Sequence, residues 1–222
     1  LQYIHFPVNQ RVLLQAQFRL KFEELFYLQL SLLRIKALRE NNNKGYMIPR
    51  VGDYFNYCFG KIPFELTDAQ KRVIKEIRGD MVSGRQMNRL LQGDVGSGKT
   101  MVALLCALLA VDNGFQSCIM APTEVLANQH YNLVVKITQG SGLEIALLTG
   151  STKSAARKEI LSKLEEGSIH LLFGTHALIE DKVKFNRLGF AVIDEQHRFG
   201  VEQRALLWSK SSELPHILVM TA

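Results

Sequence analysis

Between residues 11 and 40, apolar and polar positions alternate with helical spacing and without a single Gly or Pro. Leu25, Leu28, Leu32 and Ile35 form one apolar stripe, and Phe26, Leu30, Leu33 and Ala37 form another. The pattern predicts one helix of roughly 30 residues, about 45 Å long at 1.5 Å per residue. A helix apolar on two faces needs neighbours to cover it. Asn41-Asn42-Asn43, with Gly45 close behind, is expected to end it. Residues 47–61 read as an aromatic, irregular connector in which Tyr54, Phe55, Tyr57 and Phe59 are available for packing. From Lys61 onward the rhythm changes. Thr67 is expected to cap a helix over 68–81 with acids in its first turn. Short apolar runs follow at 90–92, 118–121, 145–149, 169–174, 190–194 and 217–221, separated by helical stretches at 101–113, 123–138, 153–166 and 200–209. Short buried strands alternating with helices predict an α/β fold, a parallel sheet sandwiched by helices and preceded by a long helical arm.

Bulk properties narrow this picture only a little. The 222 residues are 47% hydrophobic and 22% charged, the balance of a folded globular protein rather than a disordered one. The net charge is +6, and residues 1–60 carry most of it, with 8 basic against 4 acidic side chains. A polyanionic partner is compatible with that surplus but not demanded by it. Cys58, Cys106 and Cys118 are far apart and odd in number, which predicts reduced, buried thiols and no zinc site. The longest apolar run, residues 101–111, is too short to span a bilayer. No signal segment opens the chain and it does not begin with Met, so a cytoplasmic piece of a longer protein is expected.

Chemistry enters at Gly93-Asp94-Val95-Gly96-Ser97-Gly98-Lys99-Thr100, the G-x-x-x-x-G-K-T spacing of a phosphate-binding loop. Gly93, Gly96 and Gly98 let the backbone bend so that successive N–H groups face a polyphosphate, beside Ser97. A helix starting near Lys99 adds the positive end of its dipole. In that geometry Lys99 reaches the β- and γ-phosphates and the Thr100 hydroxyl ligates Mg²⁺. A second apolar run, 190–193, leads into Asp194-Glu195, and two carboxylates at a strand end are what Mg-dependent phosphoryl transfer requires. Asp194 can hold the metal through its water shell and Glu195 can polarise an attacking water; a surface turn with two acids is the plain alternative. The four remaining histidines of the lobe, His130, His170, His176 and His216, lack metal-ligand spacing and read as scattered.

Asp194-Glu195-Gln196-His197 resembles the second core motif of the DExH branch of superfamily-2 helicases, and the resemblance extends over residues 64–222. Phe64 to Gln70 is similar to the adenine-recognising Q motif, with Gln70 placed to read the base edge. Ala121-Pro122-Thr123-Glu124 and Gly174-Thr175-His176-Ala177-Leu178 are similar to strand-contacting motifs, and Thr221-Ala222 to the start of the coupling motif. Leu91 to Thr100, Thr149 to Lys153 and Asp194 to Arg204 together resemble the RecG family of branched-DNA translocases. The transcription–repair coupling translocases share His-Arg-Phe-Gly-Val after their acids but usually carry Glu where this chain has Gln196.

The resemblance implies a RecA-like lobe of the P-loop NTPase class over residues 61–222, cut within the coupling motif, with residues 1–60 as an arm and connector to an N-terminal wedge. It implies an ATP- and Mg²⁺-dependent translocase that remodels forks and Holliday junctions in recombination and repair. Its partner would be branched double-stranded DNA, with no membrane involved, and a monomer is expected. Lys99, Asp194, Glu195 and His197 would serve catalysis, His197 by coupling nucleotide state to the motor. Thr123, Ser151 and Thr175 fall where strands give way to helices or turns. Their hydroxyls and nearby N–H groups can bind DNA phosphates without reading sequence, and Lys153 and Arg198 can add charge. Helix capping is an equally good reading of Thr123 and Thr175, and the two roles are compatible. The competing readings are a coupling-type duplex translocase and a nucleotide-binding module that does no work. Without a second lobe and wedge, the chain alone is expected to bind nucleotide weakly and turn over little.

Overall fold

A computed structural model of the chain describes residues 2–42, 44–195 and 213–221. The chain forms two compact units, Leu1–Asn43 and Lys44–Ala222. The first holds a short helix α1 (Gln2–His5) and the long helix α2 (Gln10–Asn42). The Asn9 side chain caps α2 by accepting from the Val12 N–H at 2.9 Å. Arg19 and Glu23 pair one turn apart on its surface. The expected stripes are there, and Leu25, Leu28, Leu32 and Ile35 remain exposed.

The second unit opens with a difference from the sequence reading. The connector is not irregular throughout, because Asp53–Lys61 forms a helix, α3. Its N-cap, Gly52, has no side chain to satisfy the first turn. The Asp112 carboxylate takes that role from across the fold, accepting from the N–H groups of Gly52, Tyr54 and Phe55 at 3.0–3.1 Å. An anion there also complements the helix dipole. Next comes α4 (Asp68–Val82), where Thr67 and Gln70 form the reciprocal capping box: each side chain accepts from the other's backbone N–H.

Among the described residues, six strands, three further α-helices and a short 3-10 helix (His176–Ile179) complete the lobe: β1 (Asn88–Gln92), α5 (Lys99–Asp112), β2 (Gln116–Met120), α6 (Glu124–Thr138), β3 (Ile145–Leu148), α7 (Ser154–Glu165), β4 (Leu171–Gly174), β5 (Leu188–Asp194) and β6 (His216–Thr221). All pairings are parallel, in the order β1-β6-β5-β2-β4-β3. Each predicted strand is found; the helix expected over 200–209 lies outside the described residues.

Strand alternation divides the core in two. Phe190 and Val192 of β5 face a cluster shared with α3, α4, α5 and α6, while Ala191 and Ile193 face a second cluster with α7. Helix α5 is buried at every position from Met101 to Val111, which explains its unbroken apolar run. Strand β1 is at an edge of the sheet, and its Leu90 is 59% exposed. All three cysteines are free and buried, as expected.

Register places the chemistry. Gln92 of β1 pairs with Thr221 of β6, and Met220 pairs with Asp194 of β5. The strand leading to the glycine loop and the strand carrying Asp194 therefore end level, at the same carboxyl edge. With one strand between them, at about 4.8 Å per step, their ends stand about 10 Å apart.

Candidate functional site

The glycine loop joins the end of β1 to the start of α5. The Gly93 N–H donates to the Thr221 carbonyl at 3.3 Å, and the Ser97 N–H donates to the Asp94 carbonyl at 3.1 Å. Gly96 and Gly98 adopt φ of 81° and 80°, the left-handed region that side chains disfavour. At Gly98 a Cβ would also stand 2.5 Å from the Gln70 amide nitrogen. Helix α5 begins at Lys99, so its first N–H groups and dipole face the loop.

Within this loop Lys99 Nζ donates to the Gly93 carbonyl and, at 2.9 Å, to the Asp94 carbonyl. The ammonium thus spans the mouth of the loop, where a polyphosphate oxygen would compete for its N–H groups. Thr100 follows in the first turn of the helix, partly exposed. Gln70 is committed on both sides: its oxygen accepts from the Thr67 N–H and its amide donates to the Ser97 carbonyl, both at 2.8 Å. This ties the start of α4 to the loop. Phe64 is 50% exposed and helps line a cleft of about 320 Å³ with Phe59, Ile62, Leu66 and the Lys71 stem.

At the end of β5, Asp194 is buried apart from a 10% exposed side chain. Its Oδ2 lies 2.9 Å from Nε2 of His130, on α6. A carboxylate only accepts, so the imidazole donates. Sequence reading had set His130 aside as scattered; sixty-four positions separate it from Asp194, and no local pattern signals the pair. Glu195 has φ of 52°, the one non-glycine residue with positive φ among those described. Such strain costs on the order of 1–3 kcal/mol and tends to persist at functional sites.

Thr100 and Asp194 offer a hydroxyl and a carboxylate, hard oxygen donors that suit Mg²⁺, which keeps several waters and substrate phosphate oxygens around it. Among the described residues no group of three or more His, Cys, Asp or Glu side chains could hold a metal by itself. Two oxygen donors fit a cation that completes its shell with water and nucleotide oxygens.

The residues expected to meet nucleic acid are more varied. Thr123 caps α6, its hydroxyl accepting from the Leu126 N–H at 3.3 Å. Ser151 is exposed, and its N–H and hydroxyl donate to Glu124 at 3.1 and 2.6 Å. That hydroxyl first, then the N–H groups of Ser151 and Gly150, hold the Glu124 carboxyl below its ordinary value. Lys153 is exposed at the N-cap of α7. Thr175 is only 2% exposed, and its hydroxyl is buried without a hydrogen-bond partner among the described residues. The expected contact from the Thr175 hydroxyl is therefore not available at the surface of this lobe. Gln196, His197, Arg198, Phe199 and Ala222 lie outside the described residues.

Comparison with known proteins gives the family. The model of the DEAD/DEAH box helicase family matches residues 67–222. The ATP-dependent DNA helicase RecG of Synechocystis sp. is 49% identical over 219 residues, which cover 99% of this chain and 26% of that protein. RecG of Thermotoga maritima is 46% identical over 99% of this chain and 28% of its own length. The chain thus spans about a quarter to a third of the curated relatives it matches. A solved structure of RecG bound to a three-way DNA junction superposes with a TM-score of 0.85 at 43% identity, covering 98% of this chain and 29% of that one. The helicase Mss116p, solved with single-stranded RNA and a nucleotide analogue, shares the fold at a TM-score of 0.63 and 22% identity, over 77% of this chain and 38% of that one. The chain belongs to the DEAD/DEAH box helicase family, and over nearly its whole length it is similar to the RecG proteins within it.

Proposed function

We propose that this chain is the nucleotide-binding first lobe of a RecG-type motor that uses ATP to remodel branched DNA. The observation that carries the reading is the shared sheet edge: the glycine loop with Lys99 and the Asp194-Glu195 pair end level, one strand apart. In this reading the loop N–H groups and Lys99 bind the phosphates, with Gly93, Gly96, Ser97 and Gly98 shaping the cradle. The Thr100 hydroxyl would ligate Mg²⁺ and the Asp194 carboxylate would hold it through its water shell, and the cation would supply charge that neutralises the phosphates. Glu195 takes the proton from the attacking water. Phe64 and the cleft beside it offer an apolar wall to the base, and Gln70 reads the base edge by exchanging its bond to Ser97. His197 couples hydrolysis to movement. Thr123, Ser151, Lys153 and Arg198 meet the DNA backbone, while Thr175 is too buried to take the part expected of it. The expected lobe, 61–222, is extended by residues 44–60, which fold into the same compact unit and bury Tyr46, Ile48 and Cys58 in its core; the arm is the part before residue 44. The Thr123 hydroxyl can donate to a phosphate while it caps α6, whereas the Ser151 donors must exchange Glu124 for one; such contacts position the duplex without reading sequence.

The test is ATP hydrolysis by the full-length protein at one fixed salt concentration, since salt alone changes nucleic-acid affinity by orders of magnitude. Forked and four-way DNA are expected to stimulate turnover more than linear duplex or single strands. Equal stimulation by linear duplex, or a preference for RNA, removes the branched-DNA reading and keeps the motor.

A further inference from the structure

Asp194 has two carboxylate oxygens and a free torsion, so its place at the strand end does not by itself fix which oxygen faces the glycine loop. Something must hold the carboxylate for it to meet a cation in one orientation. The only hydrogen-bonding partner recorded for it among the described residues is His130, at 2.9 Å. Both side chains are largely withdrawn from solvent, at 13% and 10% exposure. A charge-assisted bond in that setting is stronger than the same bond in water. His130 itself is fixed from below. It lies in the second turn of α6, whose Ala127 and Val134 are fully buried and whose first turn is capped by Thr123. The ring is therefore held on a packed helix rather than a loop.

We propose that His130 is the positioning residue of the metal site: its Nε2–H holds Oδ2 of Asp194 and leaves Oδ1 presented to the Mg²⁺ of a bound nucleotide. The inference rests on the nucleotide-binding reading above. It makes His130 the outer partner of a carboxylate, a role in which loss of the hydrogen bond weakens metal binding while the carboxylate remains. A structural histidine that only fills space would carry no such consequence.

The experiment compares two variants of the full-length protein, His130→Gln and His130→Leu. Glutamine puts an amide N–H close to the place of Nε2, whereas leucine keeps bulk without a donor. The readout is the Mg²⁺ concentration giving half-maximal binding of a fluorescent ADP, with binding in excess EDTA as the metal-free reference. His130→Leu is expected to need about tenfold more Mg²⁺, with metal-free binding unchanged. His130→Gln is expected to stay within about twofold of the unsubstituted protein, the rescue that an N–H donor predicts. Thermal melting checks that both variants are folded. Should leucine prevent folding, His130→Asn replaces it, because its amide falls short of the Nε2 position. Equal shifts in the donor and non-donor variants would mean packing, and no shift in either would mean no role; both results overturn the inference. If the unsubstituted protein binds nucleotide no better than Lys99→Ala, the underlying reading fails and takes this one with it. Those failures are distinct, since the first leaves Mg²⁺-dependent binding intact in the parent.

Discussion

Glu195 holds its side chain on a left-handed backbone, while Asp194 before it is still in regular β-strand. Adjacent strand residues already point to opposite faces, so the change of backbone hand at Glu195 breaks that alternation where the strand ends. For Glu195→Gln we expect nucleotide binding to be kept and DNA-stimulated turnover to fall by about 10²–10⁴, the usual contribution of a positioned general base. Single-turnover hydrolysis in the full-length protein measures it, and parental turnover would reassign the base. The acids were legible from the sequence because an apolar strand run ends on them. The backbone twist at Glu195 and the His130 partner of Asp194 were not. The His130 bond depends on where α6 packs in the folded lobe, and a contact across 64 positions leaves no periodic trace.

Elements were legible in proportion to how local their causes are. The six strands announced themselves as apolar runs, and α4 by its N-cap Thr67, whose hydroxyl accepts from the N–H of Gln70 three residues on. Helix α3 was missed for the opposite reason. Its N-terminal N–H groups are satisfied by Asp112, the last residue of α5, about sixty positions away. A fully buried α5 thus does a second service: its C-terminal end organises the segment that covers it. Asp112→Ala should cost about 2 kcal/mol, the upper range for loss of a helix cap, because three backbone donors lose one acceptor. Urea unfolding followed by circular dichroism gives the value. Asp112→Asn, which keeps an oxygen acceptor but no charge, should lie between the two. An alanine variant as stable as the parent would mean that water replaces the carboxylate and that α3 stands without it.

At the scale of the whole lobe, the two ends of each strand behave differently. The carboxyl edge of the sheet is left to the candidate site, and the opposite edge is pinned by two histidines. His170, just before β4, accepts at Nδ1 from the N–H of Glu144, the residue before β3, at 3.0 Å. His216, the first residue of β6, accepts at Nδ1 from the N–H of Met87, the residue before β1, at 3.0 Å. Its Nε2–H donates to the Tyr46 carbonyl at 2.7 Å. The two rings thus fasten the two outermost strands, β3 and β1, to their inner neighbours. Burial pushes both imidazoles below the ordinary value of 6.5, against the weaker opposite pull of Glu144 on His170 and of the Tyr46 bond and Asp80 on His216. Protonation at Nδ1 would turn each acceptor into a donor facing another donor. The sign follows from linkage: below about 6.5 the unfolded chain takes up protons that the folded chain refuses. The stability contributed by these neutral rings is complete above that pH and is lost as pH falls through their lowered folded values. Melting temperature should therefore drop on acidification from about pH 7.5 to 5, and His216→Asn, whose side-chain oxygen can accept from Met87 without titrating, should flatten the slope. The comparison needs no activity, only melting curves at a series of pH values. A slope as steep in His216→Asn as in the parent would mean that His216 takes up protons equally in the folded and unfolded chain, and would place the acid sensitivity elsewhere in the lobe.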